Sequence, residues 1–213
     1  MESPNFETAQ THALPDVTVY PEYRGYADSQ GQVQGLLGDT IDTENAIRAA
    51  DSLKAVNKSM IRLWGYQLGA GVALMVASNP NFAQYTQYIV AMDPFVGWGT
   101  LAEWSKENFQ SNTLAQNYLG TAVSTYGQFS PSAKPYVQRS PNLKVLQSTP
   151  VLLLQGTSDK NMPWQTVQMF YEQLKKAHDP VTLDLIPHGN GKLKGQNQAS
   201  ADAEIQKWLN SLY

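Results

Sequence analysis

Short apolar runs alternate along the chain with stretches that place apolar residues at helical spacing. The apolar runs cover residues 17–20, 60–64, 88–92, 151–154 and 181–186. Several of them are continuous rather than alternating, which is typical of strands that are covered by helices on both faces. The pattern therefore predicts five strands, most of them buried.

The stretches between these runs have the spacing of amphipathic or buried helices. They cover residues 43–56, 69–78, 164–177 and 199–212. Strands that alternate with helices form βαβ units, whose strands are parallel. We therefore predict an α/β fold with a mainly parallel sheet and helices on both faces.

Residues 97–149 interrupt this alternation between the third and fourth predicted strands. The stretch carries seven aromatic residues, and three prolines punctuate its second half. A structureless loop of this length is uncommon inside a compact domain. We interpret the chain as one domain, residues 1–213, with residues 97–149 as a lid-like helical insertion. Two interpretations stay open for the insertion: a packed surface subdomain, or a lid over a pocket.

Composition excludes several classes of protein. The 213 residues (23.6 kDa) suffice for one domain with a substantial core, and 42% hydrophobic against 15% charged residues argues against disorder. The net charge of -3 favours neither nucleic acid nor an anionic membrane surface as a partner. No apolar run reaches the ~18 residues of a membrane span, and the first residues lack the pattern of a signal peptide. We expect a soluble protein of unknown localisation.

The chain offers few residues for metal or thiol chemistry. It contains no cysteine, which excludes disulfides, a thiol nucleophile and cysteine-ligated metals. Its three histidines, His12, His178 and His188, are too few for a histidine-rich metal cage. The three glycines Gly65, Gly69 and Gly71 lack the spacing of a dinucleotide-binding loop. We expect neither a metal nor an organic cofactor.

The most informative segment for chemistry is the run of residues 61–74. A predicted strand enters the pattern G-x-Q-x-G, with Gln67 at its centre, and a helix of small residues follows. This is the setting of a nucleophile elbow, in which the central side chain is displayed at the carboxyl end of the strand. The central residue of such an elbow is normally serine, and here it is glutamine.

At this point the sequence resembles the α/β-hydrolase superfamily, and within it the branch of prolyl-oligopeptidase-like enzymes and esterases. Residues 19–31 (VYPEYRGYADSQG) are similar to a family segment that follows an early strand, in which Arg24 and Asp28 would form a structural turn network. Residues 149–163 are similar to the strand and turn that present the catalytic acid, which would be Asp159. Residues 174–191 are similar to the stretch that ends in the catalytic histidine.

The resemblance extends over residues 5–212 and implies a serine hydrolase that cleaves ester or peptide bonds. Such an enzyme needs a hydroxyl nucleophile, a histidine base and an acid that orients it. Asp159 matches the acid, whereas Gln67 stands at the nucleophile position. The histidine position most naturally falls on Gly191, and His188 lies three residues before it. A local rearrangement that lets His188 serve as the base stays open.

The front of the family fold is expected to be incomplete. Family members place earlier strands before the segment equivalent to residues 17–20, and one of those strands lies between 17–20 and 61–65. The loop after one of them donates an oxyanion N–H, so the backbone N–H of Leu68 would be the remaining donor. Either the two strands pair directly, or a homodimer or other partner chain completes the sheet, or the sequence is an excerpt of a longer protein.

Four further residues are candidates for substrate binding. They are Tyr66 beside the elbow, Asp93 at the end of the third predicted strand, and Trp98 and Trp104 in the insertion. Ligands of open α/β sheets bind at the carboxyl ends of the strands, where Tyr66 and Asp93 fall. The ligand we expect is a small ester or a peptide-like molecule.

Three hypotheses on function follow. The first is a degenerate α/β hydrolase, catalytically impaired or inactive because Gln67 replaces the nucleophile. The second is an active esterase or peptidase that uses a non-standard arrangement, with Ser29, Ser78 or Ser158 as possible stand-ins outside an elbow. The third is a non-catalytic ligand-binding or interaction subunit.

Overall fold

The computed structural model describes residues 17–54, 56–57, 60–146, 148–177, 180–191, 193 and 196–213. His12 and His178 lie outside these residues. The described elements, in chain order, are α1 (Leu37–Asp51), β1 (Ile61–Tyr66), α2 (Leu68–Ala77), α3 (Pro80–Ala83), β2 (Thr86–Met92), α4 (Trp98–Asn108), α5 (Thr113–Tyr126), α6 (Lys134–Val137), α7 (Leu143–Leu146), β3 (Val151–Gly156), α8 (Trp164–Lys176), β4 (Val181–Ile186) and α9 (Gln196–Ser211).

The four strands form one parallel sheet in the order β1-β2-β3-β4. Every residue of β3 is buried, and β2 is buried at all but two positions, as their continuous apolar runs predict. Because parallel strands end at the same edge, the turns after β1, β2, β3 and β4 meet at one end of the sheet. The predicted α/β fold with a parallel sheet is confirmed.

Alternate residues of the strands divide the core between the two faces of the sheet. Ile89, Ala91 and Leu153 pack on one face with the apolar residues of α2 and α8. Val90 and Leu152 belong to the other face, where they pack with α9. This alternation with a period of two residues is the geometry of a strand that is covered on both sides.

The predicted strand at residues 17–20 is not formed. Val17, Val19 and Tyr20 are 52%, 43% and 61% exposed, and the residues have no strand geometry. Within the described residues the sheet ends at β1, which pairs only with β2. This part of the chain has no strand between β1 and residues 17–20 with which those residues could pair. An isolated strand leaves its backbone N–H and C=O groups without hydrogen-bond partners, so residues 17–20 gain no stability from a strand conformation. A second chain that completes the sheet at β1 stays a prediction.

The first helix begins earlier than the predicted 43–56. Gly38, Asp39 and Thr40 are small or polar, yet they are buried in the first turn of α1. The Leu36 N–H donates to Asp39 Oδ2 (2.9 Å), and the Thr40 hydroxyl donates to the Leu36 carbonyl (2.6 Å). Because these bonds satisfy polar groups at the helix start, the turn forms without the apolar pattern on which the prediction depended.

The segment before α1 is held by an ion pair that differs from the expected one. The Arg24 guanidinium donates to Asp42 Oδ1 (2.6 Å), and the Arg24 backbone N–H donates to Asp42 Oδ2 (2.9 Å). Asp28, the expected partner, is exposed. Arg24 therefore ties the segment to α1 rather than closing its own turn.

The insertion at residues 97–149 is largely helical and comprises α4 to α7. Its aromatic side chains pack edge to face in a series that runs from Trp98 through Tyr126 and Tyr136 to Phe129. α4 also contacts α8, which joins the insertion to the sheet layer. That the insertion acts as a lid stays a prediction. Among the helices of the described residues, none has the length and apolar character to cross a bilayer.

Candidate functional site

The elbow between β1 and α2 has the strained backbone that the G-x-Q-x-G pattern predicts. Gln67 adopts φ 48° and ψ -112°, a conformation that non-glycine residues rarely take. A Cβ at Gly65 would lie 2.3 Å from the Gly69 carbonyl oxygen, and one at Gly71 would lie 2.3 Å from the Phe95 carbonyl oxygen. Gly69 itself has room for a Cβ. Close packing of backbone therefore requires the first and third glycines.

The side chain of Gln67 reaches across to the turn after β4. Its Nε2–H donates to the carbonyl oxygen of Gly191 at 2.9 Å. Its own backbone carbonyl accepts from the N–H groups of Gly71 (3.1 Å) and Phe95 (3.1 Å). The nucleophile position and the histidine position of the resemblance, 67 and 191, are thus brought into direct contact.

Asp159 lies on the other side of Gly191. A Cβ at Gly191 would be 2.4 Å from Asp159 Oδ1 and 2.5 Å from Oδ2, so the carboxyl occupies the space next to the backbone where a side chain would begin. Oδ1 accepts from the Asn161 N–H at 2.7 Å, and Oδ2 is buried without a described hydrogen-bond partner. The role of Asp159 as the acid stays a prediction, and the contacts described for its carboxyl include no histidine.

His188 occupies an exposed position in the turn after β4. Its backbone has φ 56°, and its N–H donates to Thr157 Oγ1 at 2.9 Å. Its side chain is not among the described groups that face Gln67 or Asp159 in the contacts above. A catalytic role for His188 stays a prediction.

A cavity of about 980 Å³ opens in front of the elbow. Its walls come from the elbow, the segment before α1, the insertion and the acid turn. The lining residues are Tyr26, Val33, Gln34, Gly35, Leu37, Gln67, Leu68, Phe95, Trp98, Tyr118, Thr121, Thr125, Tyr126, Arg139, Asn161 and Met162. Leu68 lines the cavity and is the first residue of α2, where the backbone N–H groups of a helix have no intrahelical acceptor. The predicted oxyanion donor, the backbone N–H of Leu68, therefore lies at the cavity.

Two of the predicted substrate-binding residues, Asp93 and Tyr66, do not line the cavity; Asp93 is buried and Tyr66 is half-buried. Burial, assisted by the negative charge of Asp159, raises the pKa of Asp93 to about 7. The hydrogen bond that Asp93 Oδ1 accepts from the Gly156 N–H (2.8 Å) acts in the opposite direction and lowers this pKa. Burial, with the charges of Asp93 and Asp159, also raises the pKa of Tyr66. The Tyr66 hydroxyl and Asp93 Oδ2 have no described partner. A direct role in substrate binding stays a prediction for both.

The two tryptophans of the insertion differ in position. Trp98 lines the cavity and packs edge to face against Phe95, with ring centroids 5.3 Å apart. Trp104 is 4% exposed and packs with Leu101 and Ala115 between α4 and α5. Trp104 does not line this cavity, and a binding role for it stays a prediction.

Several lining residues were not singled out from the sequence. Tyr118 and Tyr126 were visible only as members of an aromatic-rich segment, and Arg139 had no motif around it. The hydroxyl of Tyr118 donates to the carbonyl of Asn161, which connects α5 to the acid turn, and burial raises its pKa. Aromatic density was the one signal that pointed to this wall.

The described residues contain no cluster of three or more histidine, aspartate or glutamate side chains placed to hold a metal ion. Near the elbow the described residues include two acidic side chains, Asp93 and Asp159, which is fewer than such a cluster needs. The arrangement therefore offers hydrogen-bond donors, aromatic surface and one guanidinium to a ligand.

The comparisons with known proteins agree with this fold. The acylaminoacyl peptidase of Pyrococcus horikoshii superposes with a TM-score of 0.62 at 18% identity, over 84% of this chain and 27% of that chain. Porphyromonas gingivalis dipeptidyl peptidase 4 gives 0.61 at 21% identity, over 83% and 23%. A thermophilic esterase from Thermogutta terrifontis gives 0.54 at 16% identity, over 90% and 78%.

At these identities the structural matches show a common fold, and this chain spans about a quarter of the length of the two peptidases. No curated protein matches the sequence significantly. The sequence model of the prolyl oligopeptidase family, by contrast, matches residues 18–213, which is most of the chain. The chain therefore belongs to the prolyl oligopeptidase family of α/β hydrolases.

Proposed function

We propose that this chain is a member of the family that has lost hydrolysis and that uses its elbow cavity to bind a small ester- or peptide-like ligand. The observation that carries the proposal is the hydrogen bond from Gln67 Nε2 to the Gly191 carbonyl (2.9 Å). This bond joins the positions at which a family hydrolase would hold its nucleophile and its base.

The chemistry of the two residues supports the loss of hydrolysis. An acyl-transfer nucleophile needs a lone pair that a neighbouring base frees by removing a proton. The amide nitrogen of Gln67 has a delocalised lone pair, and it is engaged as a donor to a carbonyl, which cannot accept the proton in a useful way. Gly191 has no side chain to act as the base.

The position of Asp159 supports the same conclusion. Its carboxyl lies against the Cα of Gly191, where the first atoms of an imidazole side chain would need to be. Restoring a histidine would therefore require the carboxyl to move as well. The proposed loss therefore involves more than one residue, and we expect that a single substitution does not reverse it.

The cavity supports the retention of binding. It combines aromatic walls from Phe95, Trp98 and Tyr118 with the polar ends of Gln67 and Asn161. Binding sites for small molecules in proteins share this combination of apolar walls and a few placed polar groups. The ester or peptide character of the ligand is proposed from the family and from the enzyme classes named for the structural neighbours.

The direct test is covalent labelling of the purified chain with a fluorophosphonate, read by intact mass, beside hydrolysis of p-nitrophenyl butyrate. We expect no adduct, and a rate equal to that of Asp159→Ala and of buffer. A stoichiometric adduct, or a rate that Asp159→Ala abolishes, would contradict the proposal and favour an active hydrolase with a non-standard arrangement.

A restoration series tests whether several groups are missing. We expect Gln67→Ser alone to leave the rate at background, because position 191, where the base is expected, is a glycine. Gln67→Ser with Gly191→His should be the first variant to gain activity, and His188→Ala in that background should leave the gain intact. A gain from Gln67→Ser alone that His188→Ala removes would show instead that His188 serves as the base.

A further inference from the structure

Arg139 is the charged residue among the described residues that line the elbow cavity. It lies between α6 and α7, in the insertion, and is half-buried. The other lining side chains are apolar, aromatic or neutral polar. A ligand in this cavity therefore meets one formal charge, and that charge is positive.

The backbone of Arg139 is held by the start of α4. Its carbonyl accepts the Trp98 N–H at 3.0 Å, and a Cβ at Gly97 would lie 2.9 Å from the same oxygen. This close approach requires glycine at position 97, which has φ 104°. Arg139 is consequently anchored to the helix that also carries Trp98.

The side chain of Arg139 is oriented by neutral groups. The guanidinium carbon lies 4.5 Å from the centroid of the Tyr126 ring. Nε–H donates to the Gln34 carbonyl (3.3 Å), and one NH1 hydrogen donates to the Pro135 carbonyl (3.1 Å). Since a guanidinium has five N–H groups, three are left without an acceptor in the described part of the chain.

Arg139 differs in this respect from two other arginines. Arg24 forms a salt bridge with Asp42 (2.6 Å), and Arg48 forms one with Glu44 (3.6 Å). In the described part of the chain, no acidic residue forms a salt bridge with Arg139. A half-buried, oriented guanidinium without a carboxylate has the geometry to receive one from a ligand.

The surroundings add further donors on the same wall. Trp98 packs edge to face against the Tyr126 ring with centroids 5.3 Å apart, so the tryptophan and the guanidinium both contact the same tyrosine. The indole Nε1 of Trp98 and the hydroxyl of Tyr126 both approach Gly35, at 3.6 and 2.6 Å from where its Cβ would be. An indole N–H only donates hydrogen bonds, so this wall complements acceptors.

We propose that the elbow cavity selects ligands that carry a carboxylate on an apolar body, with Arg139 as the residue that binds the carboxylate. The inference rests on the proposed function, because it assumes that the ligand is retained rather than hydrolysed. The apolar body packs against Phe95, Trp98 and Tyr118, and the carboxylate oxygens accept hydrogen bonds from the remaining N–H groups of Arg139.

The test is calorimetric titration of the full chain with a matched pair of probes, 4-phenylbutyrate and 4-phenylbutyramide. The two share size and aromatic body and differ in charge. A charge-assisted hydrogen bond to a guanidinium favours the acid by roughly 10-fold to 100-fold in Kd. Arg139→Gln is expected to remove this preference, and Arg139→Lys to keep part of it because the charge stays.

Arg48→Gln is the matched control. Arg48 also lies over an aromatic ring, 5.0 Å from the Phe82 centroid, but it does not line the cavity. Its substitution is expected to leave the preference for the acid unchanged. If Arg139→Gln fails to fold, the comparison of acid with amide in the unmodified chain, and in Arg139→Lys, still decides the question.

Three results would overturn the inference: equal affinity for acid and amide, an undiminished preference in Arg139→Gln, or no binding of the acid at millimolar concentration. Failure of the proposed function would look different. The acid has no bond to hydrolyse, so its binding is independent of turnover, whereas release of phenylbutyrate from the amide, read by mass, would reveal hydrolysis while leaving the selectivity result intact.

Discussion

The turn after β1 and the turn after β4 stand at the same end of the sheet, and they differ in what surrounds their backbone. At the elbow, Gln67 has the strained backbone of φ 48° and ψ -112°, and Gly65 and Gly71 each face backbone atoms at close range. At the turn after β4, Gly191 has no side chain, and the carboxyl of Asp159 lies in the space beside it.

The difference shows that packing and chemistry impose separate constraints. Gly65 faces backbone atoms of α2, which cannot move without displacing the helix. Gly191 faces the end of a side chain, which can rotate. We therefore expect the elbow to resist substitution even without catalysis, and the turn after β4 to tolerate it.

The largest effect concerns Asp93, which lies between the two turns at the end of β2. Because burial raises its pKa from 3.8 to about 7, the neutral form is favoured in the folded state. Its contribution to stability is complete below pH 4 and is lost as the pH rises through about 7. Over this range the free energy of unfolding should fall by about 4 kcal/mol on account of this group.

Asp93→Asn removes the titration and keeps an acceptor for the Gly156 N–H. Urea unfolding at intervals from pH 4 to pH 8 should show a flatter profile for the variant, which becomes the more stable protein at pH 8. Parallel profiles for the two proteins would mean that Asp93 is ionised in the folded state and has a partner that stabilises the charge.

The next effect tests the elbow. Gly65→Ala would place a Cβ 2.3 Å from the Gly69 carbonyl oxygen and 2.4 Å from the Ala70 Cα, so the strand and helix must separate. We expect a loss of roughly 3 kcal/mol in the free energy of unfolding, measured by denaturant titration. Gly120→Ala in α5 is the control, since nothing lies within 4 Å of its Cβ, and it should gain up to about 1 kcal/mol. Equal effects at both glycines would refute the packing argument.

The turn after β4 should respond more weakly. Gly191→Ala would place a Cβ 2.4 Å from Asp159 Oδ1, and the carboxyl can rotate away at a cost of about 1 kcal/mol. In the Asp159→Ala background the same substitution should be nearly neutral, because the opposing group is gone. A double-mutant cycle of the unfolding free energies measures this coupling. A cost that persists without Asp159 would place the conflict in the backbone, as at the elbow.

The smallest effect concerns the bond that joins the two turns. Gln67→Ala removes the hydrogen bond to the Gly191 carbonyl and leaves the strained backbone in place. We expect a loss of about 1 kcal/mol, measured by thermal or denaturant unfolding. Gln67→Glu replaces the donor with a carboxylate that faces a carbonyl, and it should lose more than the alanine variant does.

Most of the fold was predictable from the sequence because its elements have strong periodic signals. The runs at 60–64, 88–92 and 151–154 became β1, β2 and β3 with small changes of bounds, and residues 181–186 became β4 without change. Residues 17–20 had the same apolar signal and formed no strand, because a strand also needs a neighbour, and the sequence pattern contains no information about neighbours.

The candidate site was predictable only where a motif carried it. Gln67, Leu68 and Asp159 lie in recognisable segments, and the structure places Gln67 and Leu68 at the cavity and Asp159 beside Gly191. Arg139 lies in an irregular segment without a motif, and its position depends on contacts with α4 and Tyr126. The burial of Asp93 was also not evident, since a polar residue at a strand end is usually exposed.

The amino-acid pattern alone predicts the α/β class, the parallel sheet, the family and the glutamine at the elbow, since each depends on local pattern or on the identity of one residue. Tertiary packing brings Gln67 to Gly191, places Asp159 against the same glycine, and leaves Arg139 at the cavity without an acidic partner in the described residues. These are contacts between segments up to 124 residues apart. They depend on how helices and turns pack around the sheet, which no local pattern records.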